Sequence, residues 1–404
     1  MKVTIVGQGY VGQSIAVAAS ESGHEVVGFD INADLISDLN EGNSFVPGIE
    51  KKVILDLIGK KNYIPTANPE FMKGSDVIVI AVPTPITINR KPDLGPLYSA
   101  CSIIKKYIHG SVLIISESTS YPGTLRNIIK PSIESENEKN FFFAIAPERV
   151  DPGNPHWKIS NTPRVISGLS DEATQKAVDF YSTFCSEIFP VSNPEIAESA
   201  KLLENTFRQV NIALINEFSD ILDTLGISSY DVATAASTKP FGFMKFLPSI
   251  GVGGHCIPVD PEYFSFFASS LGKEAKITNL ANVLNTERPK KVALKIKNLL
   301  GDNFVNSKIQ VAGIAYKVGV SDLRESPAVL LINALRELGA NVKWHDPVVK
   351  EWHEESSSPL DPNIDLGLIV TPHDCMDLNV WKSSATRVLD LSASEHKFTW
   401  DKAL

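Results

Sequence analysis

Hydrophobic residues in the first half of the chain fall in short runs separated by amphipathic stretches. Val3 to Val6, Glu25 to Phe29, Asp76 to Val82, Ser111 to Ser116 and Phe141 to Ala146 all read as buried strands, and the segments between them as helices. Alternation of this kind predicts βα units and a parallel sheet. From Asn193 the pattern changes. "NPEIAESAKLLENTFRQVNIALINEFSDILDTLG" keeps helical apolar spacing, has no proline after Pro194 and closes on a glycine. It predicts one long helix, suited to a hub between domains or subunits. Further helical segments follow, broken by the Gly/Pro-rich "SIGVGGHCIPVDP". At Lys308 the βα pattern restarts with "KIQVAGIAY", a helix from Ser326, "NVKWHD", "DLGLIVT" and "RVLDL". The two ends are alike in pattern, with no sequence repeat between them. "HEESSSP" reads as a surface loop.

At 404 residues the chain is long enough for two or three domains, and 43% apolar content supplies sizeable cores. A net charge of -9 argues against a general nucleic-acid or membrane-surface role, yet leaves room for a local cationic pocket. Cys101, Cys185, Cys256 and Cys375 are far apart with no CxxC spacing, which disfavours a zinc site or a disulfide framework. "MKVTIVGQGY" runs directly into a strand-like segment, and no apolar stretch is long enough to cross a bilayer. A cytoplasmic protein is the expectation.

"VTIVGQGYVGQS" places Gly7, Gly9 and Gly12 in GxGxxG spacing after a strand and before a helix. The first glycine permits a tight turn, the second admits a pyrophosphate, and the third lets the helix approach the sheet. "VVGFD" puts Asp30 at the end of the second strand, where a carboxylate accepts from ribose hydroxyls and repels a 2′-phosphate. The combination favours NAD over NADP; a helix cap is the other reading of Asp30. Thr84 in "AVPTP" sits at the edge where ligands lie in such sheets, and reads equally as part of a rigid turn.

Cys256 stands between a glycine-rich approach and a Pro-Val-Asp-Pro exit, flanks unsuited to core packing. Alone it also reads as a small buried apolar residue. Beside an NAD domain a thiolate has a specific use: it attacks an aldehyde, and the adduct can give up a hydride to leave a thioester. Lys201 and Asn205, four apart on one helix face, can donate to an oxyanion, or form a solvated face. Asp260 can direct water, or cap a helix.

Together these motifs resemble the UDP-glucose/GDP-mannose dehydrogenase family nearly end to end. The likeness covers "GQGYVG", Asp30, "VPTP", "ESTSYPGT", "APER", "AKLLENTFRQVNIALINE", "GVGGHCIPVD" and "GIAYKVGVSDLRES". It implies an α/β fold of two Rossmann-like domains with parallel sheets, joined by a helical centre whose long helix makes a homodimer. The expected division is an NAD-binding domain over 1–192, a helical dimerisation domain over 193–300 and a UDP-sugar-binding domain over 301–404. The implied reaction takes a sugar C6 alcohol to a carboxylate with two NAD+.

The resemblance makes Cys256 the nucleophile, with Lys201 and Asn205 at its oxyanion, and has Asp260 assist water. Thr119 and Glu148 position the catalytic water. Gly7, Gly9, Tyr10, Val11, Gly12, Asp30, Thr84, Thr119 and Arg324 are the implied cofactor contacts. Lys201, Asn205, Gly253 and Lys317 are the substrate contacts, with Lys317 on its phosphate. No metal is implied. "PERVDPGN", "TKPFGFM" and "GGHCIPVDP" resemble the branch that oxidises UDP-N-acetylhexosamines for surface polysaccharides; UDP-N-acetylglucosamine is the first expected substrate and UDP-N-acetylmannosamine the second. UDP-glucose is the alternative substrate. Lys239 is a candidate for lending to a neighbouring subunit's site. A hydroxy-acid dehydrogenase would need neither the cysteine nor a third α/β domain. A non-catalytic nucleotide sensor would have no use for the Cys256 group.

Overall fold

The computed structural model describes residues 1–134, 140–150, 154, 156–382, 387–393 and 401–402, so part of "PERVDPGN" lies outside the described residues. The chain forms two compact units. The first holds 1–204 and 266–271, the second 205–265 and 272–404. The division falls within one helix, Pro194–Asp223, thirty residues long as its unbroken apolar period predicts.

The first unit is built on an eight-stranded sheet of order β3-β2-β1-β4-β5-β6-β7-β8. Its strands are β1 (Lys2–Val6), β2 (Glu25–Phe29), β3 (Tyr63–Thr66), β4 (Val77–Ile80), β5 (Val112–Ser116), β6 (Phe141–Ile145), β7 (Arg164–Gly168) and β8 (Ile188–Pro190). The expected strands are all present. They read as continuous apolar runs because both faces are covered. Val3 and Ile5 pack into one core while Val6, Ile78 and Ile80 pack into another. The sheet is parallel except where β7 joins β6 antiparallel. That pairing departs from the wholly parallel expectation. β3, β7 and β8 were not anticipated; β3 and β8 are short and carry Pro65 and Pro190, while β7 opens on the charged Arg164.

The second unit carries a five-stranded parallel sheet of order β10-β9-β13-β14-β15. It comprises β9 (Lys308–Ala312), β10 (Asn341–His345), β13 (Leu366–Ile369), β14 (Arg387–Asp390) and β15 (Asp401–Lys402). Helix Pro327–Glu337 buries Leu331, Ile332 and Leu335 against it. "HEESSSP" is not a plain loop: His353 and Glu354, both at positive φ, turn β11 (Glu351–Trp352) back into β12 (Glu355–Ser356). Within this unit the Gly/Pro stretch is held by the long helix, through Asn216, and by helix Lys276–Leu300, through Arg288, and it leads into helix Asp260–Ser270. Among the described residues no helix is long and apolar enough to cross a membrane.

Candidate active site

In the first unit, the predicted residues gather at one sheet edge. Gly7 follows β1, Asp30 follows β2, Thr84 follows β4, Thr119 follows β5 and Glu148 follows β6. This is the carboxyl edge, where ligands bind in open α/β sheets. The glycine turn is sterically forced. A Cβ on Gly12 would lie 1.8 Å from the Gly7 carbonyl oxygen, and one on Gly7, at φ +95°, would meet the Ala81 oxygen at 2.5 Å. A Cβ on Gly9 would meet nothing within 4 Å, so its face is open to a pyrophosphate. Gly9 caps helix Tyr10–Glu21 without a side-chain hydrogen bond, leaving the first amides for an anion. Tyr10 and Val11 are half-buried, and the Tyr10 ring stands edge-on to Phe45 at 5.0 Å. Asp30 is held ready rather than used as a cap. Its Oδ2 accepts from the Gln8 amide at 2.7 Å and its Oδ1 from the Asn32 amide at 2.9 Å. Asn32 is the residue that caps the next helix. These residues fit a dinucleotide with a free 2′-hydroxyl.

Glu148 is nearly buried. Its Oε1 accepts from the Arg149 and Val150 amides, and its Oε2 lies 3.5 Å from Arg164 Nη2. Arg164 also binds Glu117 at 2.5 Å and the Ala146 carbonyl, and its guanidinium stacks on Tyr181 at 4.7 Å. Tyr181 donates to the same Glu117 carboxylate. Burial pushes Glu117 up to about 7 against the pull of Arg164. One cation is thus shared by two buried carboxylates, which keeps Glu148 on a fixed support. Sequence reasoning missed Glu117, Arg164 and Tyr181. The available signal was a glutamate directly after the buried strand "VLIIS".

In the second unit, Cys256 lies where a loop turns into a helix. Its carbonyl accepts from the Val259 and Asp260 amides, at 3.1 and 2.8 Å. Cys256 therefore heads the turn that leads into helix Asp260–Ser270, and the positive end of that helix favours an anion there. Asp260, buried, accepts from Asn205 Nδ2 at 2.5 Å. Lys201 precedes Asn205 by one turn of the long helix.

The loop before Cys256 is fixed on several sides. Asn216 accepts from the Ser249 amide, and Arg288 donates to the Ser249 carbonyl at 3.2 Å. The Gly254 amide donates to the Arg324 carbonyl at 3.0 Å. A Cβ on Gly253 or Gly254 would stand under 3 Å from Tyr316, which is why bulkier residues are absent. Lys317 follows that tyrosine and is half-buried. Arg324, expected to contact the cofactor, folds its guanidinium onto Asp322 through three contacts of 2.6 to 3.0 Å. Lys239 is exposed, its ammonium 5.0 Å above the Phe241 ring. None of the four cysteines is in a disulfide, and no cluster of metal-ligating residues occurs among the described residues.

Comparison with known proteins gives three successive matches. They are the NAD binding domain (residues 1–185), central domain (195–287) and UDP binding domain (310–393) of the UDP-glucose/GDP-mannose dehydrogenase family. Protein CapL of Staphylococcus aureus is 35% identical over 85% of this chain and 81% of its own length. The UDP-N-acetyl-D-glucosamine 6-dehydrogenase of Pseudomonas aeruginosa is 32% identical over 89% of the chain and 86% of its own. Among solved structures, a UDP-D-ManNAc dehydrogenase of Pyrococcus horikoshii superposes with a TM-score of 0.87. It is 30% identical and covers 99% of this chain and 98% of that one.

Proposed function

Because the chain belongs to the UDP-glucose/GDP-mannose dehydrogenase family, with NAD as its cofactor, we propose that it oxidises the C6 alcohol of a UDP-N-acetylhexosamine to the uronic acid in surface polysaccharide synthesis. The observation that supports this most is the meeting of Asn205 and Asp260 at the turn headed by Cys256. A structural cysteine would need neither. Relatives named for the gluco and the manno epimers both match over most of the chain, and these supply the substrate class.

Bound NAD+ supplies the hydride acceptor, once for each oxidation. Cys256, as thiolate, adds to the carbon of the C6 aldehyde, and Lys201 and Asn205 hold the oxyanion that forms. Loss of hydride from that carbon leaves a thioester on the sulfur. Thr119, Glu148 and Asp260 direct a water to it, releasing the carboxylate and regenerating the thiol. Asp30 and the Gly7–Gly12 turn bind the cofactor, together with Tyr10, Val11, Thr84 and Arg324; Gly253 and Lys317 bind the nucleotide sugar. The division 1–192, 193–300 and 301–404 is part of the same proposal.

We propose a cytoplasmic homodimer. Phe207, Leu214, Phe218 and Ile221 are exposed along one face of the long helix, a stripe in want of a partner. The exposed Lys239 loop is the segment proposed to reach the neighbouring subunit. Phe218→Glu should shift the mass in light scattering from two chains to one.

The activity test is kcat/KM with NAD+ for UDP-N-acetylmannosamine, UDP-N-acetylglucosamine and UDP-glucose. One N-acetylated sugar should be preferred by at least tenfold. A preference for UDP-glucose overturns the proposed substrate.

A further inference from the structure

Three strand ends of the second unit converge on one loop. The segment from Gly313 to Ser326 leaves the carboxyl end of β9 and carries Lys317. Its near side is pinned by two residues. Asp346, just after β10, accepts from the Ile314 and Ala315 amides at 2.8 and 3.1 Å. Thr371, just after β13, donates to the Ala315 carbonyl at 2.7 Å. The far side is held differently. The Gly319 amide donates to Nδ1 of His373 at 3.0 Å, and Nε2 of the same ring meets Asp346 at 3.2 Å. Lys317 lies midway along the arch between these anchors.

The chemistry of the ring follows from its partners. Asp346 accepts five hydrogen bonds: from the Ile314, Ala315, Val348 and Val349 amides and from the imidazole. These bonds outweigh its burial and hold its carboxyl at about 2, so it only accepts. Nε2 of His373 must then carry the proton, and Nδ1, taking the Gly319 amide, must not. His373 is 3% exposed, so water does not substitute for it. Its neutral ring links the saturated carboxylate to the free end of the arch.

We infer that His373 is a positioning residue for nucleotide binding: its Nδ1 holds Gly319 so that Lys317 meets the diphosphate of the UDP-sugar. The inference rests on the proposed phosphate role of Lys317. His373 touches neither sugar nor cofactor.

Two substitutions separate its ring nitrogens. Asparagine places an amide oxygen near the position of Nδ1 and keeps an acceptor for Gly319. Glutamine reaches the position of Nε2, keeps a donor to Asp346 and loses that acceptor. A lost neutral hydrogen bond at a buried site corresponds to about a tenfold change in binding. UDP itself is the probe, by titration calorimetry on the full chain, with NADH formation followed separately. His373→Gln should weaken UDP about tenfold and raise KM for the sugar with kcat within about twofold. His373→Asn should bind UDP within about twofold of wild type. Thermal melting accompanies both.

If glutamine binds UDP as well as wild type does, or folded His373→Asn loses UDP, the inference is wrong. Should glutamine fail to fold, asparagine alone decides it. An absence of UDP binding by wild type also overturns it. Wild type that binds UDP but oxidises no UDP-sugar overturns the proposed function instead, while the calorimetry still reads the role of His373.

Discussion

Arg288→Met is expected to loosen the cysteine loop without unfolding the chain. Arg288 is 1% exposed on helix Lys276–Leu300. It donates to the Ser249 carbonyl and to Asp220. Charge-assisted bonds of this kind contribute about 1.5–3 kcal/mol each. Two features reduce the loss. Asp220 keeps Lys295 at 2.8 Å, so its carboxylate is not stranded. Arg288 Nη2 has no hydrogen-bond partner among the described residues, and methionine removes that buried donor. The net cost works out at about 2–3 kcal/mol, below the figure for isolating a buried charge. It falls on the segment from Ser249 to Gly254, because the Ser249 carbonyl loses its donor. If local opening carries the first 2 kcal/mol, amide exchange there should speed up about thirtyfold. Peptide-resolved hydrogen exchange measures this, and urea unfolding followed by the fluorescence of Trp344, Trp352 and Trp381 gives the total. Stability within about 0.5 kcal/mol of wild type, with unchanged exchange, would refute the reasoning. The glycine conformations and Asn216 would then suffice to hold the loop.

Asp30→Ala should weaken NAD+ about tenfold or more and narrow the gap to NADP+; wild type that binds both cofactors equally would contradict the role of Asp30. Gly12→Ala should abolish NAD+ binding and cost about 1–3 kcal/mol in melting, since its Cβ lies 1.8 Å from a carbonyl oxygen that cannot retreat without moving the turn. Glu198 accepts from the Gly123 and Leu125 amides, yet burial raises its carboxyl to about 7 from 4.5. A raised carboxyl binds its proton more tightly in the folded state. Its stabilisation, up to about 3 kcal/mol, is therefore full below the unfolded value of 4.5 and is lost as pH rises through 7. Urea midpoints should fall from about pH 5 to about pH 8 and fall less in Glu198→Gln; a wild-type midpoint that rises over this range would mean the two amides win.

Most of the fold was legible because both sheets are doubly covered, and double burial writes itself as unbroken apolar runs such as "VIVI" and "VLII". The long helix announced itself by period and by the absence of proline. β3, β7 and β8 did not, since four residues or fewer, or a strand carrying an arginine, give no period to read. Among the expected cofactor residues, Gly7 and Gly12 could be read from the sequence because local backbone geometry there admits only glycine. The supports were invisible. Arg164 is far in sequence from Glu117, and His373 from Gly319, and only the sheet brings them together. Arg324 is expected at the cofactor from its motif, and its contacts with Asp322, two residues away, could be read from the sequence alone.

The central claim is that Cys256 tethers the sugar between two oxidations. The most direct measurement is the count of NADH formed per sugar consumed, with a hydrazine present to capture any free aldehyde. The account predicts two NADH per sugar, a uronic acid product, almost no trapped aldehyde, and turnover lost in Cys256→Ala. One NADH per sugar with aldehyde accumulating, or full turnover in Cys256→Ala, would contradict it.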